Sequence, residues 1–265
     1  MLVDIGVNLT SSRFDKDLNE VLKKAASVQV GQIIVTGTNI SESIKAAELG
    51  DKYPAQLFST AGIHPHNAKE FNPHSINELS SLLELKQTVA VGECGLDFNR
   101  NFSPAEDQLV CFEAQLQLAV DKQMPVFLHQ RDAHKEFTTI LSRYIDKLPA
   151  AVAHCFTGTE VELLTYLEMG LSIGVTGWIC DERRGAELQR IVSKIPLDRL
   201  MIETDAPYLL PRSLRPKPKS NRNEPSYLPH ICQTVADCYD LSFAEIEAAT
   251  YKNSQKFFAL DLAQA

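Results

Sequence analysis

The sequence predicts a (β/α)8 barrel, also called a TIM barrel, formed by residues 1–265 as a single domain. Apolar runs of strand length alternate along the chain with amphipathic stretches of helix length. The runs are almost continuously hydrophobic, which is typical of a parallel sheet that is covered on both faces. Eight such units in 265 residues match the size of one barrel, so the length does not require a second domain.

The individual elements follow from these runs. The strand candidates are, in chain order, Leu2–Val7, Gln32–Thr36, Leu57–Ile63, Val89–Gly92, Val126–His129, Ala151–Cys155, Leu171–Val175 and Leu200–Glu203. The clearest helix candidates are Phe14–Val28, Ser41–Lys52, Pro104–Gln123 and Thr159–Met169. Ser103 is the expected N-cap of the third helix candidate, because a proline suits the first helical position. A doubly wound open sheet is the alternative, but no glycine-rich dinucleotide-binding turn follows the first strand.

Composition and charge narrow the class of protein. The formal net charge of −8 gives no general attraction to phosphate backbones, so binding of nucleic acid requires a local basic patch. The six cysteines form no CxxC pair, which predicts reduced thiols in a cytoplasmic protein without a secretory signal. No apolar run approaches the roughly 20 residues of a membrane-spanning helix. We therefore expect a cytoplasmic monomer that has no membrane partner.

Polar side chains follow several of the predicted strands, at the end where a barrel strand opens onto its catalytic face. These residues are Glu93, His129, His154 and Asp205. One strand-end histidine is more often a packing residue than a ligand, but four such positions point to a common site. Buried carboxylates are costly unless they are paired or bound to a cation. The sequence therefore predicts a metal centre with nitrogen and oxygen ligands, suited to Zn²⁺ or another divalent ion.

A metal centre of this kind would activate water for hydrolysis, because a divalent cation lowers the pKa of a bound water toward neutrality. Asp205 is the expected catalytic carboxylate, which takes the proton of the attacking water or orients it. Glu203 lies two residues earlier on the same strand. It is either a partner of the metal ligands or a buried structural residue.

Further residues are candidates for contacts with the substrate. His64 and His66 follow the third strand, and we expect both to face a phosphate or leaving group, with His64 as a second catalytic residue; loop packing is the alternative. Arg131 could hold phosphate oxygens through its planar guanidinium, and Arg100 is a weaker candidate of the same kind. Trp178 could stack on a base, although a lone tryptophan more often packs in the protein.

A basic segment, Pro211–Asn223, follows the eighth predicted strand. It carries five cationic side chains, three prolines and no acid, so it should be an extended loop. Its position places it on the same face of the barrel as the metal candidates. We expect Lys217 and Arg222 to bind the substrate, and a solvated loop without a ligand is an equal alternative.

The motifs together resemble those of the TatD deoxyribonucleases, a family of amidohydrolase-like metal-dependent hydrolases. The matching segments are Gly62–His66, Gly92–Asp97, Phe127–Asp132, His154–Gly158, Glu203–Tyr208 and Asn221–Pro225. They occur in order over nearly the whole chain. The resemblance implies a nuclease that hydrolyses DNA phosphodiesters with divalent metal. It further implies 3′→5′ exonuclease action on single-stranded DNA, with RNA as a second candidate substrate, and a role in DNA repair.

Carried over by position, the resemblance implies that Glu93, His129 and His154 hold one metal ion. Glu93 would then bridge toward a second ion, at which Asp205 would be the catalytic carboxylate.

The first strand departs from the family pattern. Many members carry His-x-His there, where this chain has Gly6 and Asn8. The second metal site would lose both nitrogen ligands and keep oxygen ligands from Glu93 and Asp205, with Asn8 and Asp4 as further candidates. Oxygen ligands favour Mg²⁺ or Mn²⁺ and bind more weakly than imidazoles. We therefore expect the second ion to arrive with the substrate.

Two other functions fit the same fold. The scaffold could hydrolyse a small amide, lactone or phosphoester, since barrels host many chemistries. It could also be a non-enzymatic binding protein, for which the loss of the strand-one histidines is the only support.

Overall fold

Eight parallel strands alternate with helices in the computed structural model, which describes residues 1–260. The strands are β1 (Leu2–Val7), β2 (Val30–Val35), β3 (Leu57–Ala61), β4 (Thr88–Asp97), β5 (Val126–Arg131), β6 (Ala151–Ala153), β7 (Ser172–Val175) and β8 (Leu200–Ile202). The helices are α1 (Leu18–Ser27), α2 (Ile40–Lys52), α3 (Pro73–Leu82), α4 (Ala105–Lys122), α5 (His134–Leu141), α6 (Glu160–Glu168), α7 (Ala186–Ile191), α8 (Leu228–Tyr239) and α9 (Phe243–Phe258).

Each strand pairs in parallel with the next one along the chain, in the order β1 to β8. The segment after β8 closes the barrel against β1: Ala206 bridges Val7, and the Asp205 amide donates to the Gly6 carbonyl at 2.9 Å. The predicted (β/α)8 barrel is therefore confirmed, and the open doubly wound sheet is excluded.

The interior of the barrel explains why polar residues meet at one end. A small apolar cluster fills the inside of the barrel, and several strands contribute a side chain to it. Among these side chains are Phe127 of β5, Val152 of β6 and Met201 of β8. Because side chains in a strand alternate between its two faces, the residue two positions later points the same way. That residue is His129, His154 or Glu203, respectively. The periodicity of the strands therefore places these three side chains in one layer above the apolar cluster.

The amino end of the barrel is covered by α9. Phe257 and Phe258 of this helix belong to the inner apolar cluster. Asn253 donates to the Leu197 and Leu200 carbonyls at 2.7 and 2.8 Å, which fixes the helix below β8. Solvent therefore reaches the layer of polar residues from the carboxyl end.

Strand β4 is longer than the sequence predicted, since it continues past Gly92 to Asp97. Gly92 and Gly95 adopt φ values of 131° and 144°, which L-residues rarely adopt. The pairing register between β4 and β5 shifts between Gly92 and Cys94. The glycines interrupt the apolar pattern of the sequence, but they let β4 stay paired with β5 and carry Glu93 and Asp97 to the open end.

The start of α4 differs from the expectation. Pro104, and not Ser103, is the N-cap residue, and it makes no side-chain cap hydrogen bond. The Ser103 hydroxyl instead donates to the His66 carbonyl at 2.8 Å and accepts from the Lys69 amide at 3.1 Å. The predicted cap was therefore wrong, because a tertiary contact to the loop after β3 takes the hydroxyl.

Two further features bear on the sequence expectations. All six cysteines are free thiols. No helix within residues 1–260 is both long and apolar enough to cross a lipid bilayer.

The packing of α4 generates a stability prediction. Phe112 is fully buried and stacks on Phe137 with a ring-centroid distance of 5.3 Å. The substitution Phe112→Ala should lower the free energy of unfolding by about 3–5 kcal/mol, measured by urea denaturation, because it removes the ring and leaves a cavity. Val110→Ala on the exposed face of the same helix is the control, and it should stay within about 0.5 kcal/mol of the parent. Equal losses in the two variants would contradict the assigned packing.

Candidate active site

A cavity of about 860 Å³ opens at the carboxyl end of the barrel. Its lining includes seven of the residues that the sequence singled out as catalytic, metal-binding or substrate-binding: His64, His66, Glu93, His129, Arg131, His154 and Asp205. Arg100 and Trp178 also line it, whereas Lys217 and Arg222 are not among its lining residues.

The carboxylate of Glu93 is the centre of the cavity's polar cluster. Its Oε1 lies 2.9 Å from His129 Nδ1, 2.7 Å from His154 Nε2 and 3.3 Å from His64 Nε2. Only 5 % of Glu93 is exposed. Burial alone would raise the pKa of this carboxyl group, but His154, His64 and His129 hold it well below its usual value. Glu93 is therefore a buried, ionised carboxylate surrounded by imidazoles.

The ring atoms of His129 and His154 that point away from Glu93 face carboxylates. His154 Nδ1 lies 3.4 Å from Glu203 Oε2, and His129 Nε2 lies 3.6 Å from Asp97 Oδ2. An imidazole that binds a metal ion usually donates its other N–H to a carboxylate or carbonyl, which fixes the tautomer and the ring orientation. His154 has such a carboxylate within hydrogen-bond reach, and His129 Nε2 faces one without a hydrogen bond, so His129 Nδ1 and His154 Nε2 are the nitrogen atoms placed to bind a cation beside Glu93.

His64 has the opposite arrangement. Its Nδ1 accepts the backbone N–H of His66 at 3.0 Å, so the proton of the neutral ring must lie on Nε2. Burial lowers the pKa of His64 to about 4, which keeps the ring neutral at pH 7. Nε2 is consequently a hydrogen-bond donor rather than a lone pair for a cation.

A second group of side chains in the cavity is also spaced closely enough to bind a metal ion. The potential ligand atoms of His64, Glu93 and His129 all lie within 4.8 Å of one another, which is compatible with a metal ion. The mutual spacing of the three ligand atoms favours His64 in this set, whereas the distance to Glu93 Oε1 favours His154, at 2.7 Å against 3.3 Å. We favour His154, because its second nitrogen faces a carboxylate whereas that of His64 accepts an amide hydrogen.

The residues present fit a divalent cation. Burial lowers the pKa of an imidazole, yet Asp97 and Glu93 raise the pKa of His129, and Glu93 and Glu203 raise that of His154 well above its usual value. Glu93 therefore attracts positive charge to the two nitrogen atoms that face it. A cation held by these three side chains would supply the same charge without a buried proton.

Asp205 lies beside this cluster, on the wall formed after β8. Its Oδ1 accepts a hydrogen bond from Asn8 Nδ2 at 3.1 Å. Burial raises the pKa of Asp205 to about 7, and Glu93 adds to this rise while His154 opposes it. Asn8 thus contacts the expected catalytic carboxylate.

Asp4 is directed away from the cavity. Its two carboxylate oxygens accept hydrogen bonds from the Thr204 amide at 2.8 Å and the Thr204 hydroxyl at 2.6 Å. Burial raises the pKa of Asp4 well above its usual value. Asp4 is therefore part of the support beneath Asp205 and not a member of the cavity wall.

Glu203 occupies space that Gly6 leaves open. A Cβ atom at position 6 would come closer than 3.0 Å to Glu203 Oε2, and one at Gly174 would do the same to Oε1. Glu203 is fully buried, and its Oε1 accepts the Cys155 amide at 2.5 Å. Gly6 thus makes room for the carboxylate behind His154.

Asp97 belongs to the polar cluster of the cavity, although the sequence reasoning did not single it out. It is 1 % exposed, and its Oδ2 lies 2.7 Å from His66 Nε2. His129 and His66, helped by the Arg100 amide, hold the pKa of Asp97 well below its usual value although burial opposes this. The sequence did contain one indication of this position, because Asp97 ends the Gly92–Asp97 segment that resembles a family motif. Asp97 connects His66 to the proposed metal ligand His129.

One side of the cavity is cationic. Lys69, Arg100 and Arg131 line it, and none of them forms an ion pair with any carboxylate of residues 1–260. Exposed aromatic side chains complete the rim, since Phe102 and Tyr208 are 56 % and 54 % exposed. Unpaired cations beside exposed aromatic rings suit a phosphate that carries bases.

The structure directs Arg222 toward α1. Its guanidinium makes two hydrogen bonds to the carboxylate of Asp17, at 2.8 and 2.7 Å, and donates to the Arg13 carbonyl at 2.7 Å. Lys217 is exposed on the same loop. Because its donors are occupied within the protein, Arg222 is not positioned to meet a ligand in the cavity.

Comparison with known proteins shows the following similarities. The family model described as TatD related DNase matches residues 3–259. Curated proteins named 3'-5' ssDNA/RNA exonuclease TatD, from Citrobacter rodentium and Erwinia tasmaniensis, are each 52% identical to this chain. These alignments cover 100% and 98% of this chain and 100% of each relative.

Solved structures agree with this finding. A hydrolase TatD family protein from Entamoeba histolytica superposes with a TM-score of 0.89 at 29% identity, covering 97% of both chains. YJJV, a TatD homolog from Escherichia coli K12, superposes with a TM-score of 0.88 at 28% identity, covering 97% of this chain and 98% of its own.

The role of Glu203 behind His154 generates a prediction. Glu203→Gln preserves size but removes the negative charge that orients the ring, so it should weaken binding of Mn²⁺ or Zn²⁺ by about 10–100-fold in calorimetric titrations. Glu224→Gln is the matched control, because Glu224 is also buried but pairs with Lys24 and Arg222 away from the cavity. If both variants bound metal like the parent protein, His154 would not depend on Glu203.

Proposed function

Because this chain belongs to the TatD-related DNase family, it is a nuclease that hydrolyses phosphodiester bonds, and we propose that it removes nucleotides from the 3′ end of single-stranded DNA and RNA. The names of the curated relatives that align over nearly the full chain support the polarity and the substrates. One observation supports the proposal above all. The imidazoles of His129 and His154 meet at Glu93, each with a second carboxylate behind it, in a cavity that has unpaired cations on one side.

We propose that Glu93, His129 and His154 hold a divalent cation, in agreement with the sequence prediction. When bound, such a cation lowers the pKa of water and polarises a phosphoryl oxygen. His64 is kept from the ligand set by its tautomer, and its Nε2–H, which lies 3.3 Å from Glu93 Oε1, is the donor available to an oxygen of the scissile phosphate once Glu93 binds the cation.

The other residues of the cavity position the substrate and move the proton. Asp205, held at Oδ1 by Asn8, accepts the proton of the attacking water on Oδ2. Arg131 holds a non-bridging phosphate oxygen through its guanidinium, and His66, steadied by Asp97, contacts the same phosphate. The water oxygen bonds to phosphorus as the bond from phosphorus to the 3′-oxygen of the remaining strand breaks. That oxygen takes up a proton from solvent, and one nucleoside 5′-phosphate is released.

A second ion is proposed to bind together with the substrate, and Mg²⁺ or Mn²⁺ is the cofactor that fits it. The oxygen atoms available for it belong to Glu93, Asp205 and Asn8, since Asp4 directs both of its oxygens to Thr204. Three protein oxygens form a weak site until phosphate oxygens join them.

Calorimetric titration with Mn²⁺ should therefore saturate at one ion per chain without nucleic acid. Two ions bound with similar affinity would contradict this proposal.

The thiols and the family bear on the location and the wider role of the protein. Six free thiols suit a reducing compartment, so we propose a cytoplasmic location for a single-domain monomer. A role in DNA repair rests on the family resemblance. The alternatives of a hydrolase of a small amide, lactone or phosphoester and of a non-enzymatic binder are set aside, because the family is one of DNases.

Digestion of end-labelled oligonucleotides tests the proposed function. With Mn²⁺ or Mg²⁺, the protein should shorten single strands stepwise from the 3′ end and act more slowly on duplexes. Asp205→Asn should lower kcat by about 10²–10⁴-fold, because the base that accepts the water proton is lost. Asp132→Asn is the control: Asp132 also follows a strand with a positive φ but is exposed outside the cavity lining. Digestion from the 5′ end, or full activity of Asp205→Asn, would refute the assignment.

A further inference from the structure

Trp178 stands at the edge of the cavity on the side opposite the lysine and arginine wall of the loops after β3 to β5. It lines the cavity and belongs to the loop after β7. Its indole N–H donates to the Arg184 carbonyl at 3.2 Å, and the Arg184 guanidinium lies 4.2 Å from the centre of its ring. The stacked pair thus connects the cavity to the outer surface of this loop.

Beyond Trp178, arginines from two loops meet around one buried carboxylate. Asp181 is 1 % exposed, and its oxygens lie 2.9 Å from Arg184 Nε, 3.7 Å from Arg183 Nε and 3.8 Å from Arg212 Nε. Arg215 joins the cluster by donating to the Arg212 carbonyl at 3.0 Å. The loops after β7 and β8 are therefore held together as one cationic surface.

The charge of this surface contrasts with that of the whole protein. Three guanidinium groups pair with two carboxylates, those of Asp181 and of Glu182, which lies 3.8 Å from Arg212, and the fourth, that of Arg215, contacts backbone carbonyls only within residues 1–260. The side chains of Arg183, Arg184 and Arg212 are 61 %, 53 % and 44 % exposed. A net positive surface on a chain with a formal charge of −8 is suited to binding a polyanion.

The size of the cavity indicates why a binding surface outside it is needed. A volume of about 860 Å³ lies within the range of small-ligand pockets, so the cavity holds the reacting end of a strand but not a longer chain. The remainder of the strand must leave the cavity over its rim. An aromatic ring followed by arginines is the pattern that binds single-stranded nucleic acid without regard to sequence.

We propose that Trp178 and the arginine cluster of Arg183, Arg184, Arg212 and Arg215 form a binding track for the part of the single strand that lies 5′ of the cleaved bond. This inference rests on the proposed exonuclease function. Trp178 stacks on a base as the strand leaves the cavity, and the arginines contact the phosphates that follow.

The track is tested with Arg183→Gln/Arg215→Gln, which removes two charges and leaves the pairs of Asp181 with Arg184 and Arg212. The control, Lys86→Gln/Lys147→Gln, removes two exposed charges from loops that precede β4 and β6, at the opposite end of the barrel. The probes are a 12-nucleotide oligo(dT) and the p-nitrophenyl ester of thymidine 5′-phosphate, a diester small enough to fit in the cavity.

Two lost phosphate contacts should weaken binding of the 12-mer by about 25-fold at 0.1 M salt and reduce the slope of log K against log salt by about 1.4. Turnover of the small ester should be unchanged. Because Trp178 is the only tryptophan in the chain, its fluorescence in EDTA reports binding of the 12-mer without cleavage. The control should match the parent protein in every assay.

Each outcome decides between the proposals. If the parent protein digests the 12-mer but the arginine variant binds it as tightly as the control does, the track is refuted while the nuclease function stands. An equal loss on the small ester would also refute the track, because the defect would lie within the cavity. Failure of the parent protein to digest any oligonucleotide would overturn the proposed function, and the track with it.

Discussion

The arrangement of the site depends on the burial of one ionised carboxylate. Glu93 is almost completely removed from water, which is unfavourable unless opposite charge or hydrogen bonds compensate for it. His129 and His154 provide that compensation from the next two strands, and Asp97 and Glu203 stand behind them. This layered arrangement, a carboxylate, then imidazoles, then further carboxylates, is the order expected around a divalent cation.

The same constraint explains the glycines of the site. Gly92 and Gly95 let β4 stay paired with β5 beyond the apolar run, so that this strand presents both Glu93 and Asp97. Gly6 provides the volume that the Glu203 side chain occupies. On the first strand the chain therefore offers no imidazole at position 6 and leaves that space to the Glu203 carboxylate.

The sequence was sufficient to predict the barrel, because eight apolar runs with polar residues at their ends have few other solutions. It also located Glu93, His129, His154 and Asp205 at one end, because strand ends of a parallel barrel share one face. It did not reveal Asp97, since the glycines before it broke the apolar pattern. Nor could it show that Arg222 pairs with Asp17, because local pattern carries no information about a partner 205 residues away. The hydrogen-bond environment that separates His64 from His154 likewise exists only in the folded chain.

Anomalous diffraction from crystals grown with Mn²⁺ and without nucleotide tests the central claim most directly. It reports which nitrogen atoms bind the ion, independently of activity. We expect a peak bonded to Glu93, to His129 Nδ1 and to His154 Nε2, with His64 Nε2 left free to donate. A peak bonded to His64 in place of His154, or an ion bound without Glu93, would contradict the account.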